Sequence, residues 1–172
     1  MNTVASQAAY LTQFPRAAAT ATATVGGTPT NANVNSITVT SALIPGGSAT
    51  ASYTTQTSDT NPEVASGLAS AINANVNLQA LGIYATVSDL VITVNHPGPA
   101  GNLTVLSKTV TGSQTITLAA SGVMSGGSGP VIPYEGFTAS FGNMNFHFNA
   151  GEPRELSPVF VAALVNSGAP IV

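Results

Sequence analysis

The sequence predicts an α+β fold that is mainly β: an antiparallel β-sheet or sandwich module with one short covering helix, followed by a C-terminal β-hairpin and a second short helix. Three observations predict it. Thr, Ser and Val alternate with small or apolar residues at period two over much of the chain, which places alternate side chains on opposite faces of a strand. One segment, near residues 61–76, breaks that alternation with a four-residue apolar period and a helix-start signal. Beyond a Gly/Ser run the composition turns to aromatics, again at period two.

Residues 1–35 read as an N-terminal arm. Tyr10, Leu11, Phe14 and Pro15 form a small apolar cluster, followed by the Ala/Thr tract Arg16–Val25 and the breaker run Gly26-Gly27-Thr28-Pro29. Chain ends are ordinarily frayed, but free tails seldom carry Tyr, Leu and Phe within five residues. Tyr10, Leu11 and Phe14 are therefore candidate contacts with a partner.

A β-rich module is expected over 36–124. Ile37, Val39 and Leu43 alternate with Thr and Ser, Pro45-Gly46-Gly47 makes a turn, and Ala49, Ala51 and Tyr53 alternate on the return. The pattern predicts a hairpin with one packed face and one hydroxylated face, and the β-branched Thr residues favour the pleat. Thr60-Asn61-Pro62-Glu63 then supplies a capping oxygen, a first-turn proline and a carboxylate at a helix N-terminus. Val64, Leu68, Ile72 and Val76 give that helix one apolar stripe. Strands follow at 83–87 and 90–94 around a Ser88-Asp89 turn, then a loop over 96–101, then strands near 103–107 and 115–120.

Residues 125–132 read as a Gly/Ser linker, with Ser125-Gly126-Gly127-Ser128-Gly129-Pro130 its clearest part. The remaining segment, 133–172, predicts a hairpin and a helix. Phe137, Ala139 and Phe141 lead into a Gly142-Asn143 turn, and Met144, Phe146 and Phe148 return from it. An isolated hairpin is marginal in water, so this one must pack on the main module or on another subunit. Phe137, Phe141, Phe146 and Phe148 are accordingly candidate interface residues. Ser157 as N-cap, Pro158 in the first turn, Val161, Leu164 and Val165 as stripe and Gly168 as stop define the last helix.

Charge is scarce: 5% of the 172 residues are Asp, Glu, Lys or Arg, against about 25% in an ordinary soluble domain. No charged side chain occurs between Arg16 and Asp59. A net charge of −3, with the cations Arg16, Lys108 and Arg154 far apart, argues against nucleic acid as partner. The absence of cysteine removes disulfides, thiolate nucleophiles and Cys-ligated zinc. Met1–Ser6 lacks the basic start of a secretory signal, and the longest apolar run, Val159–Val165, falls short of the roughly 20 residues that span a bilayer. The expectation is a soluble protein made in a cytoplasm, with no membrane partner.

Constellations that carry chemistry are thin. His96 and His147 have no nearby His or carboxylate in sequence to complete a metal site. Asp59, Glu63 and Asp89 could form a carboxylate pair, but capping explains Glu63 and a turn explains Asp89. No Gly-x-Ser-x-Gly elbow occurs, Gly126–Gly129 lacks the Lys of a phosphate loop, and Asn102-Leu103-Thr104 is a sequon of a kind that arises by chance. The expectation is a non-enzyme without catalytic residues, cofactor or metal.

Several stretches resemble tailed-bacteriophage structural proteins. They are the Ser36–Thr40 and Gly46–Thr54 strands leading to the helix Asn61-Pro62-Glu63-Val64-Ala65-Ser66-Gly67-Leu68-Ala69-Ser70-Ala71-Ile72-Asn73-Ala74-Asn75; the strands Ala85-Thr86-Val87 and Ile92-Thr93-Val94; the turn and strand Gly98-Pro99-Ala100-Gly101-Asn102-Leu103-Thr104-Val105; and the ending Phe146–Leu156 with Leu164 and Gly168-Ala169-Pro170. The resemblance covers roughly residues 36–172. It implies a virion structural protein, of the capsid decoration or minor capsid type, that binds the major capsid protein or other virion proteins and is itself a homo-oligomer, with a trimer the first expectation. A head–tail connector, a tail or fibre component, and a carbohydrate-binding adhesive module are the alternatives. The last would need Tyr53, Tyr84 or Tyr134 as a sugar platform.

Overall fold

In the computed structural model, which describes residues 16–171, the chain order is β1 (Ala18–Gly27), β2 (Val34–Thr40), β3 (Ser48–Thr54), α1 (Asn61–Ala74), α2 (Val76–Gln79), β4 (Tyr84–Ser88) and β5 (Val91–Pro97). A 3-10 turn at Pro99–Leu103 leads to β6 (Val105–Val110) and β7 (Gln114–Leu118), and then β8 (Phe137–Phe141), β9 (Met144–Phe148) and α3 (Pro158–Asn166) complete the chain. The fold is α+β and mainly β, with antiparallel sheets.

The strands divide into a sandwich of two sheets, ordered β4-β5-β1-β7 and β3-β2-β6, with β8-β9 as a separate hairpin. Inward residues of both sheets form one core: Ala19, Ala21, Ala23 and Val25 from β1, Ile92 and Val94 from β5, Ile37 and Val39 from β2, Ala49 and Ala51 from β3. Small residues on β1 and β3 face space that α1 fills with Val64, Leu68 and Ile72, the large-against-small matching that close packing requires. The helix packs against β3 and β4, the outermost strands of opposite sheets, so it plugs the open side of the sandwich; β6 against β7 closes the other.

Its start follows the sequence signal. The Thr60 backbone N–H and Oγ1–H both donate to Glu63 Oε2 at 2.7 Å, with Pro62 in the first turn. It ends two residues earlier than expected because Asn75 caps the next turn, accepting from the Asn77 and Leu78 amides through Oδ1.

Two boundaries require correction. The arm assigned to 1–35 is sheet from Ala18 onward: β1 is an interior strand, paired with β5 from Ala18↔Pro97 to Thr24↔Val91 and with β7 from Ala23↔Leu118 to Gly27↔Gln114. Residues 28–33 then turn directly into β2. The physical reason is that Ala is apolar enough to face a core while its contrast with Thr is faint. The linker assigned to 125–132 is likewise tied down. Thr20 and Ser125 exchange backbone hydrogen bonds at 2.8 and 3.1 Å, as do Ala17 and Ser128 at 3.1 Å. Asn102 clamps Gly127 from both sides, donating Nδ2–H to its carbonyl at 2.8 Å and accepting its amide on Oδ1 at 2.9 Å. Asn102 of the sequon is thus a structural residue.

The C-terminal hairpin turns tightly at Gly142-Asn143, where Gly142 takes φ +60° in the first turn position, the conformation of a type II′ hairpin turn. A second core of Val131, Phe148, Val161, Leu164, Val165, Ala169 and Ile171 joins this hairpin to α3. It meets the sandwich through Ala100 of the 3-10 turn and through Leu43, which packs against both cores.

Candidate functional site

Tyr10, Leu11 and Phe14 lie outside the described residues. The four aromatic interface candidates of the hairpin lie together, and the chain's own α3 covers much of them. Phe137 and Phe148 stack with centroids 4.7 Å apart, and Phe160 of α3 packs 4.3 Å from Phe141 and 5.2 Å from Phe146. Phe148 is 1% exposed with the Arg154 guanidinium 5.5 Å above its ring, so it belongs to the interior and is corrected from interface to core. Phe137, Phe141 and Phe146 are half-buried. Phe160 was missed by the sequence reading; its signal was the i, i+4 spacing to Leu164 on the same helix. The hairpin's other face is polar, with Thr138 Oγ1 3.1 Å from His147 Nδ1 and Ser140 Oγ–H donating to Asn145 Oδ1 at 2.6 Å. His147 is exposed, as its place in the alternation predicted.

Concavities of the described surface lie at the following places, among others. A cleft of about 290 Å³ lies between the 3-10 turn, Gly127–Gly129 and the entry to α3, with Leu103, Leu156, Pro158 and Val161 in its wall. A groove of about 640 Å³ runs between β8 and the last turn of α3. A third, of about 430 Å³, is bounded by Leu43, Pro45, Leu81 and Tyr134.

The outer faces of the sandwich carry no charged side chain. On one sheet, cross-strand register lines up Ser52, Ser36 and Thr109 in one row and Thr50, Thr38 and Ser107 in the next. Ser36 and Ser52 hydroxyls are 2.8 Å apart, as are those of Thr38 and Thr50. On the other sheet Thr20, Thr22 and Thr24 of β1 lie beside Asn95, Thr93 and Val91 of β5. Among the described residues one ion pair is present, Arg154–Glu152 at 3.5 Å, and it is solvent-exposed.

Polar groups in the interior have structural settings. His96 Nδ1 is 2.8 Å from Thr104 Oγ1, and both residues are fully buried. A His–Thr pair is the type of arrangement that activates a hydroxyl, yet a reacting group needs substrate access that this one lacks. Burial, with the nearby Arg16 charge adding to it, pushes the His96 pKa down from 6.5 to about 4. Arg16 donates Nη2–H to the Pro97 carbonyl at 3.1 Å.

A pH dependence follows. The folded state holds His96 neutral while the unfolded chain takes a proton near 6.5, so its contribution is full above pH 6.5, declines as pH falls, and is gone below about 4. The full loss is about 3 kcal/mol. Urea midpoints should drop between pH 7 and pH 5 for the parent protein, with a flatter response in His96→Gln. Equal slopes in the two proteins would contradict the assignment. Glu63 and Glu152, held below the usual carboxylate value by hydrogen bonds from Thr60 and Asn149, add their own losses only at lower pH.

The three carboxylates weighed as a pair have separate tasks. Asp59 accepts from the Tyr53 hydroxyl at 2.8 Å and the Gln56 amide at 2.6 Å, Glu63 caps α1, and Asp89 sits in the β4–β5 turn at φ +53°. Tyr53 is further pinned by Gly67, where any Cβ would meet its ring. Tyr84 and Tyr134 are exposed, one on the outer face of β4 and one in the wall of the third concavity. Among the described residues no three His, Asp or Glu side chains are placed to hold a metal ion, and no helix is long and apolar enough to cross a membrane. Compared with known proteins, the chain matches no family model, no curated protein and no solved structure.

Proposed function

We propose that this chain is a non-enzymatic structural protein of a bacteriophage particle that decorates or cements the capsid through contacts with the major capsid protein. The observation that supports this reading is the pair of uncharged, hydroxyl-lined outer sheet faces. Hydroxyls lose far less than charges when water is removed, and neighbouring hydroxyls can partner one another or a facing backbone. Such faces suit a large protein wall and give little purchase to a phosphate or a small ion. A standard interface of about 1,600 Å² is enough for stable attachment, and a symmetric particle repeats it many times. A trimer would place the same face on three neighbouring capsomers at once.

The test is attachment to purified particles as salt is raised. With few charges to screen, occupancy should be unchanged between low salt and about 1 M, where the Debye length is near 3 Å. Release across that range would overturn the reading. Copy number divides the places in the particle: a count matching the capsid lattice supports decoration, whereas a few copies at one vertex or along the tail moves the protein to the connector, tail or fibre.

A further inference from the structure

The β8–β9 hairpin carries a strand edge that its own fold leaves open. In a two-residue hairpin the closing pair, Phe141↔Met144, exchanges both backbone hydrogen bonds, and Ala139↔Phe146 and Phe137↔Phe148 repeat this at every second position. The N–H and C=O groups of Thr138 and Ser140 therefore point away from β9. Among the described residues these groups have no backbone hydrogen-bond partner.

Edges of the sandwich are treated differently. On β4 the Asn73 side chain takes the place of a neighbouring strand, donating Nδ2–H to the Ala85 carbonyl at 2.9 Å and accepting its amide on Oδ1 at 2.7 Å. On β6, Val105 is bridged to Val123, and the Met124 amide donates to the Thr104 carbonyl at 3.0 Å. An open edge is ordinarily blunted by a charge, a proline or a bulge. Residues 136–148 contain no Asp, Glu, Lys, Arg or Pro, and β8 runs through its register without a bulge.

Set antiparallel to a second copy of itself about Ala139, β8 is self-complementary. Thr138 meets Ser140 of the second copy, and Ser140 meets its Thr138, two hydrogen-bonded pairs of two bonds each with hydroxyls facing on the polar side. On the side shared with α3, Phe137 meets Phe141 of the second copy and Phe141 its Phe137, and within one chain both rings are only half-buried. Ala139 meets Ala139 on the two-fold axis, where a large side chain would crowd its own copy. Just beyond, Gly136 faces Gly142, and neither presents a side chain.

We infer that β8 is a docking edge for a second copy of this chain, the two hairpins joining into one four-stranded sheet, β9-β8-β8-β9. The contact is isologous, so each favourable pairing is made twice and the assembly closes at two chains. A five-residue strand places it among small, reversible interfaces. It depends neither on the particle assignment nor on any three-fold contact elsewhere on the chain.

The absence of cysteine allows a register-specific test on the full chain. Ala139→Cys sets two thiols opposite each other in a non-hydrogen-bonded pair, with Cα atoms about 4.5 Å apart and within disulfide reach. Ser140→Cys sets them on a diagonal, about 7–8 Å apart and beyond it. Mild oxidation should therefore link the first variant into dimers several-fold faster than the second. Sedimentation equilibrium of the unaltered chain should show monomer and dimer in exchange. Ser140→Pro removes an edge N–H from each copy, leaves the β8–β9 ladder intact, and should weaken the dimer about tenfold. Asn145→Pro, on the far edge of β9, should leave it unchanged. A chain that stays monomeric at the highest concentration reached, equal linking of the two cysteine variants, or a dimer lost in Asn145→Pro and kept in Ser140→Pro would each overturn the inference. Should either proline variant fail to fold, the two linking rates decide alone.

Discussion

Deleting residues 1–25 is expected to abolish cooperative unfolding, whereas deleting residues 1–15 leaves a cooperative transition in place. The difference is β1. It has partners on both edges, seven register pairs with β5 and five with β7, and its Ala19, Ala21, Ala23 and Val25 face the core. A cut at residue 25 strips most of this strand from the middle of a sheet. The facing edges of β5 and β7 would then present unpaired N–H and C=O groups, each costing about 1–3 kcal/mol when held away from water. Summed over the strand, that exceeds the typical 5–15 kcal/mol stability of a domain. Thermal unfolding followed by circular dichroism decides the matter. A shorter chain that still melts cooperatively would show that β1 is not the interior strand described above.

The second large effect belongs to Phe148→Ala. This ring fills the centre of the second core, stacked on Phe137 and covered by Arg154. Removing a buried Phe costs about 3–5 kcal/mol when the site cannot collapse. The damage should stay in one part of the molecule, because the sandwich core is a separate cluster that meets the second through Ala100 and Leu43. Hydrogen exchange should lose protection over residues 131–171 while β1–β7 amides keep theirs. Uniform loss in both regions would mean that the two cores unfold as a unit. A cost below about 1 kcal/mol would mean that the aromatic stack carries little.

These two sites also show what could be read from residues alone. Helix α1 was legible because Thr60, Pro62 and Glu63 act locally and the Val64–Leu68–Ile72 spacing needs no knowledge of its partner. The β2–β3 and β4–β5 hairpins were legible for the same reason: their turns are short and their faces alternate. Strand β1 was not, since an Ala/Thr alternation has little amplitude and its partners lie far along the chain. The Gly126–Gly129 strip looked like a linker because its fastening comes from Ala17, Thr20 and Asn102, which composition does not reveal. The apolar face of the β8–β9 hairpin was identified correctly, but its destination depended on Phe160 and the packing of α3. The division of the strands into two sheets was illegible because it is set by long-range pairing.

The Ala-rich interior of β1 has a consequence in time. On the ribosome this strand is made first among the elements of its sheet, and roughly sixty residues separate it from the start of β5, about 3–13 s of synthesis at ordinary rates. For those seconds it has neither neighbour. A Val- or Ile-faced strand would be a sticky β-prone window, of the kind that recruits other nascent chains. Ala and Thr let it wait in water, and the burial that holds it arrives only when Ile92, Val94 and Ile116 have been made.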